Sequence, residues 1–228
     1  MPTKRQPDSL KPRKKPVQAR SADTVEIILE AAARILELEG FASYNTNAIA
    51  SRAGISIGSY YQYFPNKDAV TAALIKRDSE DLAAHLLQAG QARTWQQGLK
   101  LAIDAAVAHQ LRRPVLARRL DMAERHLLPD GGQAAVSAIA CATIRQLLQM
   151  PDAPKISDTG SLCADIVAIA QGLIDAAGAR GETDPLSLSE RVERAVLAFI
   201  AASPPDRDDR QPKGLDNPDG MTSPTLST

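Results

Sequence analysis

Apolar residues recur at helical intervals from residue 24 to residue 202, and nowhere do β-branched residues alternate with polar ones over the length of a strand, so the pattern predicts helix after helix. The first covers residues 24–39, with Ile27, Ile28, Ala31, Ile35 and Leu38 as its buried stripe. Asp23 and Glu26 have the spacing of a capping box, and Gly40 stops the helix. Asn45 caps a short helix that buries Ile49, Ala50 and Ala53 and ends at Gly54; Ser56 caps a second short helix through Ser59, Tyr61 and Gln62. Asn66 caps a long helix over 67–88 that faces inward through Val70, Leu74, Leu82, Leu86 and Leu87. Five more follow at 95–111, 115–127, 133–149, 159–179 and 187–202. The breaks at Pro114 and at 129–132, 151–154 and 181–185 carry turn residues.

Two short helices joined by a glycine-containing turn form a helix-turn-helix pattern. Only 4% of the chain is aromatic, yet Phe41, Tyr44, Tyr60, Tyr61, Tyr63 and Phe64 crowd around this pair. Such a cluster has two readings: bulky residues filling a very small core, or rings and hydroxyls that also reach phosphates. A reading helix in a major groove exposes Ile57, Gly58, Ser59 and Gln62, where Gln62 suits adenine and Ile57 a thymine methyl. For Ser59 simple solvation is an equal account.

The run 40–68, with Ile49-Ala50, Ala53-Gly54-Ile55-Ser56, Gly58-Ser59, Tyr61 and Phe64-Pro65-Asn66-Lys67 in this order, resembles the N-terminal domain of the TetR family of bacterial transcriptional regulators. The match extends back to Asp23; beyond Asp68 only length and helical character agree. The resemblance implies an all-α fold: an N-terminal three-helix helix-turn-helix DNA-binding domain (21–68) followed by a larger helical ligand-binding and dimerisation domain (69–202). It implies phosphate contacts from Tyr61 and Lys67, helped by Asn45, Thr46 and Tyr63, and base contact from Asn47. Tyr60 stands where an aliphatic residue is usual, and Asn45 where threonine is common.

The resemblance further implies a homodimer, joined through the last two helices, that reads a double-stranded DNA operator and answers to a small-molecule effector; such regulators are most often repressors. The apolar stripes Ile166, Ile169, Ala170, Leu173, Ala177 and Val192, Val196, Phe199, Ile200 are the expected seam, although an intrachain bundle needs such stripes too. An effector site among the central helices has Trp95, His109, Met122, His126, Cys141 and Ile144 as weak candidates, each equally at home in core or surface. With Trp95 and Phe199 the only aromatics after Phe64, no aromatic cage for a quaternary ammonium is expected.

Charge changes the picture at the ends. The 228 residues carry 27 basic and 27 acidic side chains, so net charge argues for no partner. Yet Lys4, Arg5, Lys11, Arg13, Lys14, Lys15 and Arg20 face only Asp8 within 1–20, which reads as a disordered basic arm that either tracks phosphates or is merely solvated. Residues 203–228 read as a disordered tail. Cys141 and Cys163 suggest neither disulfide nor metal, and no cofactor is called for. No run approaches the roughly 18 apolar residues of a spanning helix, so a cytoplasmic protein without a membrane partner is expected.

His85, His109 and His126 stand apart without a catalytic motif, which speaks against an enzyme. Asp121 and Glu124 are expected in a surface ion-pair network with Arg118, Arg119 and Arg125. The remaining alternative is a helical small-molecule sensor whose head binds a protein rather than DNA.

Overall fold

The structure, a computed structural model, describes residues 19–127 and 132–204. The expected arm over 1–18, the turn at 128–131 and the tail from 205 lie outside the described residues. Nine helices and no strand occur among those described: α1 (Ala19–Leu38), α2 (Thr46–Arg52), α3 (Ile57–Tyr63), α4 (Lys67–Ala89), α5 (Trp95–Arg112), α6 (Pro114–Leu127), α7 (Gly132–Leu148), α8 (Thr159–Ala179) and α9 (Pro185–Ala202).

Local chemistry accounts for most boundaries. Asn45, Ser56, Asn66 and Thr94 each accept a backbone N–H three residues on, at 2.9, 3.0, 2.8 and 3.3 Å, satisfying donors that a helix start leaves open. Asp184 does the same for α9, where Pro185 occupies the first turn without losing a bond. Gly40 and Gly54, at φ 79° and 68°, close α1 and α2 in the left-handed region. Pro114 opens α6 rather than merely ending α5, so one residue, Arg113, makes the turn.

Three expectations fail here. α1 already runs from Ala19, so Asp23 lies inside it and caps nothing; no proline or glycine between Pro16 and Gly40 stops the helix earlier. Its buried face is Ile28, Leu29, Ala32, Ile35 and Leu36, which leaves Ile27 and, at 70%, Leu38 exposed. On α4, Leu86 is buried and its neighbour Leu87 is 59% exposed, because adjacent helical residues point about 100° apart.

The core has two main parts. One joins α1, α2, α3 and the first half of α4 around the fully buried Tyr60 and Phe64, and it includes Leu116, Leu120 and Ala123 of α6. The other joins α5, α7, α8 and α9 around Val107, Leu147, Cys163, Ile166, Leu188 and Val196. A Cβ on Gly98 of α5 would meet the Ala89 carbonyl oxygen at 2.9 Å and collide with the Leu147 side chain. Gly98→Ala is therefore expected to cost about 1–3 kcal/mol despite alanine's better helix propensity. A Tm equal to or above that of the parent would show that α4, α5 and α7 are not this tightly packed.

Candidate nucleic-acid interface and effector cleft

The aromatic cluster turns out to do two separate jobs. Tyr44, Tyr60 and Phe64 are buried, and Tyr60 donates to the Asn66 carbonyl at 3.1 Å, fixing the turn that starts α4. Burial, chiefly, pushes the Tyr60 hydroxyl's pKa well above its ordinary value, and Tyr44 shifts the same way for the same reason. An aromatic residue at position 60 thus packs as the usual aliphatic would and adds a tether. Thr71 donates to the Lys67 carbonyl at 2.9 Å, which leaves its oxygen to accept from Tyr44 at 3.0 Å.

Tyr61, by contrast, is 43% exposed. Its ring meets that of Tyr60 edge-on at 5.4 Å, and its hydroxyl lies 3.3 Å from that of Thr46 at the start of α2. Lys67, exposed at the start of α4, donates to the Tyr44 carbonyl at 3.3 Å. The pair of hydroxyls and the ammonium thus bring together the first turns of α2 and α4 and the exposed side of α3.

All ten sequence-predicted interface residues fall on these segments. Asn47, Ile57, Gly58 and Gln62 are exposed, and neither Asn47 nor Gln62 makes a hydrogen bond among the described residues. Thr46, Ser59 and Tyr63 are half-buried. Asn45 is exposed but occupied: its oxygen caps α2 and its amide donates to the Ser43 carbonyl at 3.3 Å. The Ser59 hydroxyl pairs with that of Ser56 at 2.9 Å, so neither simple solvation nor a free donor describes it. A Cβ on Gly58 would come no closer than 3.8 Å to any neighbour, so nothing in the chain itself requires glycine there.

Behind this surface, α1 is clamped by the α5–α6 turn. Arg113 donates to Glu37 at 2.7 and 3.1 Å and to Glu30 at 3.0 Å. Burial works against Glu30's charge, but hydrogen bonds from Arg34 and Arg113 outweigh it and hold the carboxyl below its ordinary range.

A cleft of about 110 Å³ opens between α4, α5, α6, α7 and α8. Of the six residues suggested from sequence only His109 lines it, with Nε2 2.9 Å from Asp78. Met122 is 50% exposed and His126 is exposed, because both lie on the face of α6 away from the bundle. Trp95 and Ile144 are spent in the second core, with Cys141 packed against it. Sequence reasoning missed the cleft's carboxylates: Asp121 makes no ion pair within 4 Å among the described residues, contrary to the expected surface network, and Asp175 makes none either. Burial, then repulsion from Asp175 and Glu124, pushes the Asp121 carboxyl up to about 6. The signal available in the sequence was Asp175, one of two charges in the apolar helix α8.

Five of the nine expected seam residues are also corrected. Ile166, Ala177, Val192, Val196 and Ile200 are buried in the second core; Ile169, Ala170, Leu173 and Phe199 remain half-buried. The exposed side of α8 is instead Ala164, Ala168, Gly172 and Ala176, spaced four apart. α8 is, contrary to the sequence expectation, long and apolar enough to cross a membrane by length and composition, with a mean hydropathy of 1.5 over a window that is only 33% buried. It packs within the bundle against α5, α7 and α9.

Residues 28–74 match the family model described as bacterial regulatory proteins, tetR family, which spans α2, α3, most of α1 and the start of α4. The segment 28–74 is thus of the tetR family. The chain is 33% identical over 93 residues to the HTH-type transcriptional regulator EthR of Mycolicibacterium smegmatis, a match over 38% of this chain and 43% of EthR. The alignment thus spans less than half the length of that curated relative. Structures of the same fold include a TetR transcription regulator from Haloarcula marismortui, with TM-score 0.65 and 19% identity over 80% of this chain and 98% of that one. FadR from Bacillus subtilis in complex with stearoyl-CoA has TM-score 0.62 and 17% identity over 76% and 98%. Within the matched segment the helix-turn-helix is α2 and α3, with the candidate interface residues on its outer side.

Proposed function

We propose that this protein is a homodimeric, ligand-responsive transcriptional regulator of the cytoplasm, a repressor released from a palindromic operator by a small molecule. The observation that carries the reading is the outer side of α2 and α3. Asn47 and Gln62 stand exposed with their amides uncommitted, between Tyr61 and Lys67. Bidentate amides read base edges while hydroxyls and ammoniums hold phosphates. The outer side of α8 supports the dimer: a stripe of small residues lets a second helix approach closely, and two-fold symmetry then matches a palindrome.

Ligand response has a physical route. Ile75 and Leu120 line the cleft and also belong to the core of the reading head, so a molecule seated there presses on the packing that aims α3. If it favours the arrangement that misaligns the two heads, operator affinity falls by the same factor as DNA weakens the ligand. FadR's complex with stearoyl-CoA supports ligand response in a regulator of this fold.

The test is selection of genomic duplexes by the purified chain at near-physiological salt. The expected result is an enriched palindrome whose affinity drops steeply as salt rises. Absence of any enrichment, both for the apo protein and with cell extract as a source of ligand, would overturn the reading and pass the head to a protein partner.

A further inference from the structure

The cleft is chemically lopsided. Asp78, Asp121, Glu124 and Asp175 line it, and no lysine or arginine does. Asp78 is answered by His109 at 2.9 Å and by Arg112 at 3.8 Å. Asp121 and Asp175 have no hydrogen bond or ion pair among the described residues; Arg125 acts on both only from beyond 4 Å. Ser79, Gln110 and Gln171 add uncharged polar groups, and Ile75, Leu82, Ala106, Leu120, Val136 and Ile174 make the apolar part of the wall. A second observation comes from the same wall, where Nδ1 of His109 is buried without a hydrogen-bond partner in a side chain only 14% exposed. Two facing carboxylates that repel one another with no cation in contact cost the fold stability, and a positive charge brought between them from outside relieves it.

We infer that the effector cleft takes a small organic cation, a primary ammonium or guanidinium on a short apolar body, held between Asp121 of α6 and Asp175 of α8. This rests on the ligand-responsive reading above and names the class of its ligand. The cation replaces repulsion by two charge-assisted hydrogen bonds, and its alkyl part covers the apolar wall. Recognition runs through carboxylates, so the shortage of aromatic residues is no obstacle. An acyl-CoA or other polyanion meets four carboxylates and is refused. Because the bridge joins α6 to α8 beside α4, occupancy changes how α6 rests on the head.

Protonation gives the site a pH signature. Asp121 faces Asp78 from α4, His109 from α5, Glu124 and Arg125 from its own helix and Asp175 from α8; α7 brings Val136 but no charged residue to the cleft. Free Asp121 is half-protonated near pH 6, so bound cation expels a proton there and affinity falls as pH drops below that value.

The experiment is calorimetric titration of the full chain, without DNA, with 1,4-diaminobutane, butane-1,4-diol and butanedioate. The diamine is expected to bind at least about tenfold more tightly than the diol at about pH 7.5, and the dianion not to bind. Asp121→Asn and Asp175→Asn should each weaken the diamine by about tenfold or more, and Asp121→Asn should also remove the proton release near pH 6. Asn relieves the repulsion, so the first variant is expected to fold; Asp175 is an exposed residue at the edge of the cleft, so the second variant covers failure of the first. Equal binding of diol and diamine, no saturation up to about 10 mM diamine, or unchanged affinity in both variants would overturn the inference. DNA is absent from the readout, so a failure to find an operator leaves this result standing, and a failure here leaves the DNA reading standing.

Discussion

Replacing either Tyr61 by Phe or Lys67 by Ala is expected to weaken operator binding by roughly 10²- to 10⁴-fold without favouring any base over another. Each side chain places one polar group beside the first turns of α2 and α4, and a hydrogen bond to a charged phosphate contributes about 1.5–3 kcal/mol. A dimer carries each contact twice, so losing even one kind costs about 3–6 kcal/mol, which sets that range. The two variants separate by salt. Lys67→Ala removes a cation from each half-site and should lower the slope of log K against log salt by about 2, whereas Tyr61→Phe should leave it unchanged. Lys67 also donates to the Tyr44 carbonyl, but the Tyr44 hydroxyl is held independently by Thr71, so the head keeps its core. Lys67→Gln, which retains a donor, should leave Tm at the parent's value. If it matched the parent in DNA affinity as well, the lysine's charge would have no part in the interface.

Gly172→Glu is expected to yield a folded monomer that no longer holds its operator. A Cβ at Gly172 meets nothing within 4 Å, so the single chain has no objection to a side chain there, and replacing a mid-helix glycine gains roughly 0.5–1 kcal/mol of helix stability. In the proposed dimer the two glutamates would meet in an apolar seam of Ala164, Ala168 and Ala176, where burying unpaired like charges is prohibitive. A lone subunit reads one half-site without the gain in effective concentration that its partner provides, a loss of about 10²-fold or more. Sedimentation and a duplex titration on the same sample test both halves. A dimer with unchanged affinity would place the seam elsewhere.

Much of the fold was legible because the sequence marks it with local chemistry. Asn45, Ser56, Asn66 and Thr94 each signal a helix start through a hydrogen bond to a residue three positions away, and the structure has all four. Gly40 and Gly54 likewise mark ends by a backbone requirement that other residues meet at a cost. What local signals could not convey was which side of a helix meets which neighbour. Ile166 and Val196 look alike in a stripe whether they meet α5 or a second subunit, and only the three-dimensional packing assigns them to the chain's own core. The small residues Ala164, Ala168 and Ala176 gave no apolar period to notice. The same limit explains Asp121: arginines three residues before and four after suggested pairing along the helix, whereas its side chain turns towards α8. The positions of the candidate interface residues were readable because they lie on short capped segments whose outward side follows from the caps themselves.

The presence of Leu116, Leu120 and Ala123 in the core of the head bears on how this protein can be taken apart. A fusion that cuts the chain just after Asp68, to graft its DNA preference onto another sensor, would strip from the core around Tyr60 and Phe64 not only Val70, Leu74 and Ile75 of α4 but also these three side chains of α6, and would remove Arg113 from Glu30 and Glu37. The transplanted piece would carry the letters of the reader without the hand that steadies it. A working exchange has to include α6, or a host helix bearing leucines four apart and an arginine one turn before them, which makes the unit of modular inheritance discontinuous in the gene.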